Sequence, residues 1–376
     1  MKGKLENQKF IDKNVGNLIN LFIIAKKSIR KKPNFNIKIN KVIVLKLDSI
    51  GDAILSLPMI KRIKDETGAK IIVGCAKENH FVFKNQPFID NITVFNTKSL
   101  KSIISNIRKL KKEHADVCID TGQSSNISAI IANYVGKTSV GFKKTKKSLR
   151  DRIYSSSLTI NPLIHMSENY ISLLKVIGLK DVKNSRLIRI RLERNILNEA
   201  SKKFKFLKGK QKIVGLHLWD VLPYKKIREE EKIKIIDYLV NKKKLVVITG
   251  SDKESVFVKN TIRKIKDKSK IIDLSGKINT EELVYVISKL NLFIALDGGP
   301  MHIAASMNTP VISIFGHDLP SKYKPLTRKS AIIYKNTHHE EYTKATGKRH
   351  PESFNSNCLD TIYAEDILKS MNGLKL

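Results

Sequence analysis

The sequence predicts an α/β protein made of two Rossmann-like, doubly wound domains. Three observations carry this. The chain has 376 residues, too many for one ordinary domain and comfortable for two. Hydrophobic residues make up 41% of it, enough for packed cores and unlike a disordered chain. Short β-branched apolar runs alternate with amphipathic stretches twice over, from Lys41 and again from Lys212, as βαβ units do.

The first strand is Lys41–Leu47 (KVIVLKL), apolar throughout its middle as a buried parallel strand should be. A loop, Ser49-Ile50-Gly51-Asp52, leads to an amphipathic helix from Ala53 to about Glu66. Strands are expected at Ala69–Ala76, Ile92–Phe95 and Ala115–Gly122, with helices at Leu100–Lys112 and Ser128–Val135. Residues 143–160 are basic and weakly patterned, and read as a surface loop. A helix over Ile164–Leu179 ends near Gly178, a residue type that suits a helix C-terminus.

The second cycle has strands at Lys212–Leu218, Lys244–Gly250, Ile271–Gly276, Asn291–Gly299 and Thr309–Gly316. Between them lie helices at Glu229–Asn241, near Glu254–Lys266, at Thr280–Leu290 and at Met301–Met307. A last helix, Ala364–Met371, is expected to pack back on the fold. The organisation is therefore a basic extension over residues 1–40, an N-terminal domain over 41–180 and a C-terminal domain over 200–376. Ligands of such domains bind at the carboxyl ends of the strands, where helix N-termini supply partial positive charge.

Cys75, Cys118 and Cys358 are too few and too scattered for a disulfide framework or a metal knuckle, and read as reduced thiols. The polar N-terminus has no secretory pattern, and no run is long enough to span a bilayer. These observations place the protein in the cytoplasm. The net charge of +36 predicts a surface that attracts polyanions. Residues 1–40 hold ten Lys/Arg and two Asp/Glu, so most of the excess is spread along the rest of the chain. Residues 15–32 carry Val15, Leu18, Ile19, Phe22 and Ile29 at helical spacing, followed by a basic cluster. That pattern fits a helix lying on an anionic membrane and equally one packed on its own domain.

Three loops after strands carry candidate chemistry. In the first, Asp52 stands at a helix start beside Ser49 and Gly51, either as an N-cap or as a general base. In the second, Lys225 and Lys226 precede a helix whose first turn is Glu229-Glu230-Glu231. Acids suit that turn, whereas lysines ahead of it ask for another partner, for which a phosphate would serve. In the third, Asp297-Gly298-Gly299-Pro300-Met301-His302 joins a buried strand to a helix. Glycines at a helix start expose N–H groups that can cradle a phosphate, and Pro300 costs nothing there. Gly250 and Glu254, at the end of one strand and the start of the next helix, are lesser candidates.

Gly-x-Gly-x-x-Gly, Walker, Asp-x-Asp and nucleophile-elbow sequences are all missing, and no His/Cys/Asp cluster has metal spacing. Diphosphate charge would have to be met by backbone N–H groups and lysines.

Four segments together resemble glycosyltransferase family 9, the heptosyltransferases of the lipopolysaccharide inner core. VIVLKLDSIGDAILSLPMIKRIK resembles the family's opening strand, Ser-x-Gly-Asp turn and helix. DTGQSSNISAIIANYVGKTSVGF resembles its Asp-x-Gln-Gly segment, and HMSENYISLLKVIGL its His-x-x-x-(Asn/Arg)-Tyr helix. LDGGPMHIAASMNTPVISIFG resembles its most specific signature, Asp-(Thr/Ser)-Gly-Pro-x-His-x-Ala-Ala followed by Thr-Pro and Phe-Gly. The likeness covers roughly residues 41–320. It implies a GT-B fold, two Rossmann-like domains facing across a cleft that holds the active site. It also implies inverting, metal-independent transfer of heptose from ADP-heptose to a lipid A–Kdo acceptor on the cytoplasmic face of the inner membrane. Asp52 then matches the base, Lys225 a donor-phosphate contact, and Asp297, Gly298, Gly299, Met301 and His302 the diphosphate loop.

The chain departs from the pattern in places. Gly298 replaces a Thr or Ser, and His317 stands where Pro is common. HLWDVLPYKKI lacks the Trp after Lys-Arg, which leaves open whether Lys225 or Lys226 does the work. Another GT-B sugar-nucleotide enzyme, an epimerase, a hydrolase or a transferase with a different donor, is the alternative. Specific nucleic-acid binding is not expected, because no recognition motif or aromatic platform accompanies the charge.

Overall fold

The computed structural model describes residues 38–96, 99–123, 125–143, 148–180, 186–222, 224–336, 341 and 358–374. The amphipathic pattern at 15–32 lies outside them. The chain divides into two compact units: one runs to Asn161 and includes Met166–Ser185, the other is Pro162–His165 with everything from Arg186.

The first unit is a six-stranded parallel sheet of β1 (Lys41–Lys46), β2 (Lys70–Ala76), β3 (Asn91–Phe95), β4 (Ala115–Asp120), β5 (Gly136–Lys143) and β6 (Ser156–Thr159). Its order is β3-β2-β1-β4-β5-β6. The helices are α1 (Ile50–Thr67), α2 (His80–Phe83), α3 (Leu100–Lys111), α4 (Asn126–Val135), α5 (Leu149–Ile153) and α6 (Met166–Ser172). Val42, Ile43, Val44 and Leu45 are fully buried, as a central strand covered on both faces requires. Ile43, Ile72, Phe95 and Cys118 from four strands meet Leu110 of α3 and Ala132 of α4 in one core.

The reading of residues 143–160 as a surface loop does not hold, because that stretch contains α5 and β6. Arg150 is 1% exposed. Its guanidinium donates to the carbonyls of Ser125, Gly122 and Phe142 and lies 3.4 Å from Asp120 Oδ2. Asp120 also accepts from Ser128 Oγ (2.8 Å) and Tyr154 OH (2.6 Å). A buried cation with so complete a set of acceptors looks, in sequence, like one more surface arginine. The predicted helix at 164–179 is α6 followed by a 3₁₀ turn, Leu173–Ile177, closed by Gly178 at φ 82°.

The second unit repeats the topology. Its strands are β7 (Ile213–His217), β8 (Leu245–Ile248), β9 (Ile271–Asp273), β10 (Leu292–Leu296), β11 (Val311–Phe315) and β12 (Ser330–Tyr334), in the order β12-β11-β10-β7-β8-β9. The helices are α7 (Arg194–Lys203), α8 (Glu229–Asn241), α9 (Asp252–Lys264), α10 (Thr280–Lys289), α11 (Gly299–Ser306), α12 (Pro320–Tyr323) and α13 (Ala364–Gly373). Leu216, Ile248, Ile294 and Ile314 pack with Ile235 and Leu239 of α8 and Ile367 of α13. α13 is pinned where Ala364 N donates to Glu231 Oε2 at 2.7 Å. The three cysteines are buried and form no disulfide. No helix among the described residues is long and apolar enough to cross a membrane.

In each sheet the strand order reverses once, between β1 and β4 and between β7 and β10. Loops on either side of such a reversal diverge and leave a crevice at the carboxyl ends of the strands. The candidate residues 48–52 follow β1, and Lys225 and Asp297 follow β7 and β10.

Candidate functional site

In the first unit, the loop after β1 is fixed by the buried Asn79, whose Nδ2 donates to the carbonyls of Lys46 (3.1 Å) and Asp48 (2.7 Å). Ser49 caps α1: its Oγ accepts from Asp52 N at 3.2 Å and donates to Asp52 Oδ2 at 2.8 Å. The helix thus starts at Ile50, three residues before the expected Ala53. Asp52 is the third helical residue, and the N-cap reading of it is replaced by Ser49. Gly51 lies in the same first turn, and its backbone is not left-handed as those of Gly68, Gly178 and Gly276 are.

Tyr170 of α6, 118 residues further on, donates its hydroxyl to Asp52 Oδ1 at 3.0 Å. The same hydroxyl accepts from Lys46 Nζ at 2.9 Å. Lys46 is 0% exposed, lies 2.6 Å from Asp48 Oδ1, and sits 5.0 Å from the centre of the Tyr170 ring. Two hydroxyls therefore hold the Asp52 carboxylate, and a buried ammonium polarises one of them. A carboxylate so oriented at a strand end can accept a proton. Tyr170 and Lys46 were not foreseen as site residues. The available signal was a lysine inside an otherwise apolar strand.

In the second unit, β10 ends at Leu296 and Gly298 is the N-cap of α11, in extended backbone at φ 166°, ψ −172°. The helix begins at Gly299, two residues before the expected Met301, so Pro300 is its second residue. No side chain caps it, which leaves the first-turn N–H groups of Gly299 and Met301 as donors for a ligand. Met301 is fully buried, so only its backbone can serve. His302 is 3% exposed, and its backbone N lies 3.4 Å from the Gly298 carbonyl.

Lys225 Nζ donates to the Asp297 carbonyl at 3.0 Å and lies 3.6 Å from Asp297 Oδ2. β7 and β10 are hydrogen-bonded neighbours, which brings these residues together across 72 positions of sequence. Lys226 goes elsewhere. Its Nζ sits 5.3 Å from the Phe257 ring centre, beside a separate hollow of about 440 Å³ lined also by Trp219 and Lys264. The geometry thus joins Lys225, and not Lys226, to the Asp297 loop. Glu254 and Gly250 follow β8, one strand further out, and Glu254 Oε2 accepts from Ser251 N at 2.6 Å to close the capping box of α9.

Burial pushes the Asp297 carboxyl up to about 7; Lys225 opposes the rise and Asp318 adds to it. Asp318 follows β11, and His317 Nε2 lies 3.5 Å from its Oδ2. The His317 ring meets Tyr224 edge-on at 5.0 Å. Asp318, His317 and Tyr224 were also missed, since nothing in the local sequence joins them to residue 297. Among the described residues there is no group of three His, Cys, Asp or Glu side chains placed to hold a metal ion.

Two parallel, doubly wound six-stranded sheets of this order are the architecture of a GT-B protein. The sequence profile of glycosyltransferase family 9 (heptosyltransferase) matches residues 103–351. The chain belongs to that family and is a glycosyltransferase. It is 26% identical to lipopolysaccharide heptosyltransferase 1 of Campylobacter coli over 351 residues, covering 89% of this chain and 98% of that protein. The crystal structure of the glycosyl transferase family 9 protein from Veillonella parvula DSM 2008 superposes with a TM-score of 0.76 at 20% identity, over 91% of this chain and 99% of that one. E. coli heptosyltransferase WaaC with ADP-2-deoxy-2-fluoro heptose superposes at 0.66 and 14% identity, over 89% and 99%.

Proposed function

We propose that the protein transfers a heptose, or a closely related sugar, from an ADP-linked donor to the inner core of a lipopolysaccharide or lipooligosaccharide, with inversion and without a metal. The observation that carries this is Lys225 held against Asp297 at the uncapped start of α11. In this reading the Gly299 and Met301 N–H groups and the Lys225 ammonium take the diphosphate, and stabilise the charge that develops as ADP leaves. Asp52, held by Ser49 and Tyr170, takes the proton of the acceptor hydroxyl as that oxygen attacks the anomeric carbon. The acceptor is anionic and lipid-linked, which suits a chain of net charge +36 acting at the cytoplasmic face of a membrane. The similarity to a lipopolysaccharide heptosyltransferase and to one bound to an ADP-heptose analogue supports the donor and acceptor class.

Calorimetric titration tests the reading. ADP and ADP-heptose should bind, UDP and UDP-glucose should not, and chelator should change nothing. Binding should be lost in Lys225→Ala and kept in Lys226→Ala. Preference for the uridine pair would overturn the heptose donor. In a transfer assay, full activity of Asp52→Ala would remove that residue from the mechanism.

A further inference from the structure

One flank of the first unit has no part in the chemistry above. α3 and α4 enclose a hollow of about 900 Å³, floored by Ile107, Ile130 and Ile131 and rimmed by Arg108, Lys111, His114 and Lys137. A second hollow of about 810 Å³ adjoins it, lined by Lys101, Ile104, Ser105, Arg108, Lys109 and Lys112. Neither hollow is lined by an acidic residue. Ile104 and Tyr134 stand out from this flank, 42% and 52% exposed. Lys111 Nζ lies 4.9 Å from the Tyr134 ring centre, so the aromatic face and the ammonium share one spot. α3 runs from the carboxyl edge of the sheet, after β3, back to the amino edge before β4, and carries the cationic row along the flank.

The chain enters β1 at the same place. Asn40 N and Lys41 N both donate to Asp116 Oδ2, at 3.0 and 3.1 Å, and Lys137 of the rim lies 2.9 Å from Asp116 Oδ1. The 39 residues before Asn40 hold ten Lys/Arg against two Asp/Glu. Their like charge disfavours them as the occupant of a cationic groove, and it disfavours a second copy of the chain equally. A soluble polyanion would use the cations and leave the exposed isoleucine, the tyrosine and the apolar floor without a role.

We infer that the α3–α4 flank docks on an anionic lipid bilayer, with Ile104 and Tyr134 at the headgroup–acyl boundary and Lys101, Arg108, Lys109 and Lys112 on the lipid phosphates. Apolar groups ringed by lysine and arginine, with an aromatic side chain at the rim, match that interface. This surface deepens the reading of a lipid-linked acceptor and rests on it for the membrane as partner. Vesicle binding is measured without sugar transfer, so either claim can fail alone.

The test is co-sedimentation of the full chain with phosphatidylcholine vesicles that do or do not contain phosphatidylglycerol. Each basic residue near an anionic surface is worth about fivefold in binding. The triple variant Lys101→Glu, Arg108→Glu, Lys112→Glu should therefore bind phosphatidylglycerol vesicles about a hundredfold more weakly, with its melting temperature and ADP affinity kept. Ile104→Ser should weaken vesicle binding severalfold and leave binding of inorganic polyphosphate unchanged. Wild-type binding by the triple variant would overturn the assignment. So would an Ile104→Ser protein that binds vesicles like the wild type, because the patch would then be a site for soluble polyanions.

Discussion

Tyr170 and Asp297 show how much of each site depends on one side chain placed by a distant element. The Tyr170 hydroxyl stands between Lys46 Nζ and Asp52 Oδ1, at 2.9 and 3.0 Å. A hydrogen bond to a charged group is worth about 1.5–3 kcal/mol, so Tyr170→Phe should lower turnover by about tenfold or more. ADP affinity should stay unchanged, because Tyr170 and the diphosphate loop belong to different units; steady-state kinetics beside calorimetry would separate the two effects. Asp297 makes a pH prediction. Its carboxyl is pushed from an ordinary 3.8 up to about 7 by burial and by Asp318, against Lys225. An acid with a raised folded pKa binds more protons folded than unfolded, so its share of stability is lost as pH rises from about 4 towards 7. The same ionisation sets a carboxylate beside a diphosphate. ADP affinity should therefore fall severalfold or more between about pH 6 and about pH 8, and Asp297→Asn should flatten both dependences. Calorimetry across that range and thermal melts from about pH 4 to about pH 8 would check this, and an unchanged slope in Asp297→Asn would assign the titration to another group.

At the scale of elements, α11 shares with α7, α8 and α12 a start without a side-chain cap hydrogen bond, and is set apart by the glycine at that start. α9 and α10 close their starts with capping boxes, whereas α11 begins on Gly298 with no cap side chain. A Cβ built at Gly298 meets nothing nearer than Pro300 Cδ at 3.9 Å, and the extended backbone there suits any residue. Gly298→Ser should therefore fold normally and gain only a few tenths of a kcal/mol as an N-cap. Its effect on ligand should be larger, since a hydroxyl donating to phosphate is charge-assisted, and ADP should bind about tenfold more tightly. Unchanged calorimetric affinity would mean that the phosphate does not reach residue 298. Which elements were legible follows the same physics. The strands nearest the switch points, β1, β4, β7 and β10, are apolar runs that announce burial, and they carry the loops of both sites. β5 (GKTSVGFK) mixes polar residues into its run, and β12 (SAIIY) is a half-exposed edge strand flanked by lysines, so neither pattern stood out. The glycine–helix start was readable because its chemistry is local. Ser49 and Lys225, partners of Asp52 and Asp297, were already candidates, whereas Tyr170 and Asp318 were not, because they reach those carboxyls only through the fold.

The whole molecule combines two self-contained cores with a strongly basic surface, and the two properties should separate under test. Among the described residues, one buried cluster of the second unit is built from residues between Val214 and Ile367, and one of the first from residues between Ile43 and Tyr154. Each of these clusters lies within one unit, as the core of an independently folding domain does. We expect a fragment of residues 186–376 to melt cooperatively and to bind ADP, since Lys225, Asp297 and the start of α11 all lie within it. It loses the His165 ring nitrogen that lies 2.9 Å from the Lys324 carbonyl. One such hydrogen bond is worth about 1 kcal/mol, so the fragment should be slightly less stable and its ADP affinity should stay within about tenfold of the full chain. Salt then distinguishes the two kinds of binding. Exposed charges are screened within about 10 Å at 0.1 M salt, whereas donors at a partly buried helix start are screened much less. Raising the salt should release the full chain from anionic vesicles well before it releases ADP from either protein. A fragment that fails to melt cooperatively would place the folding boundary elsewhere in the chain. A fragment that folds without binding ADP would mean that the first unit contributes to the donor site.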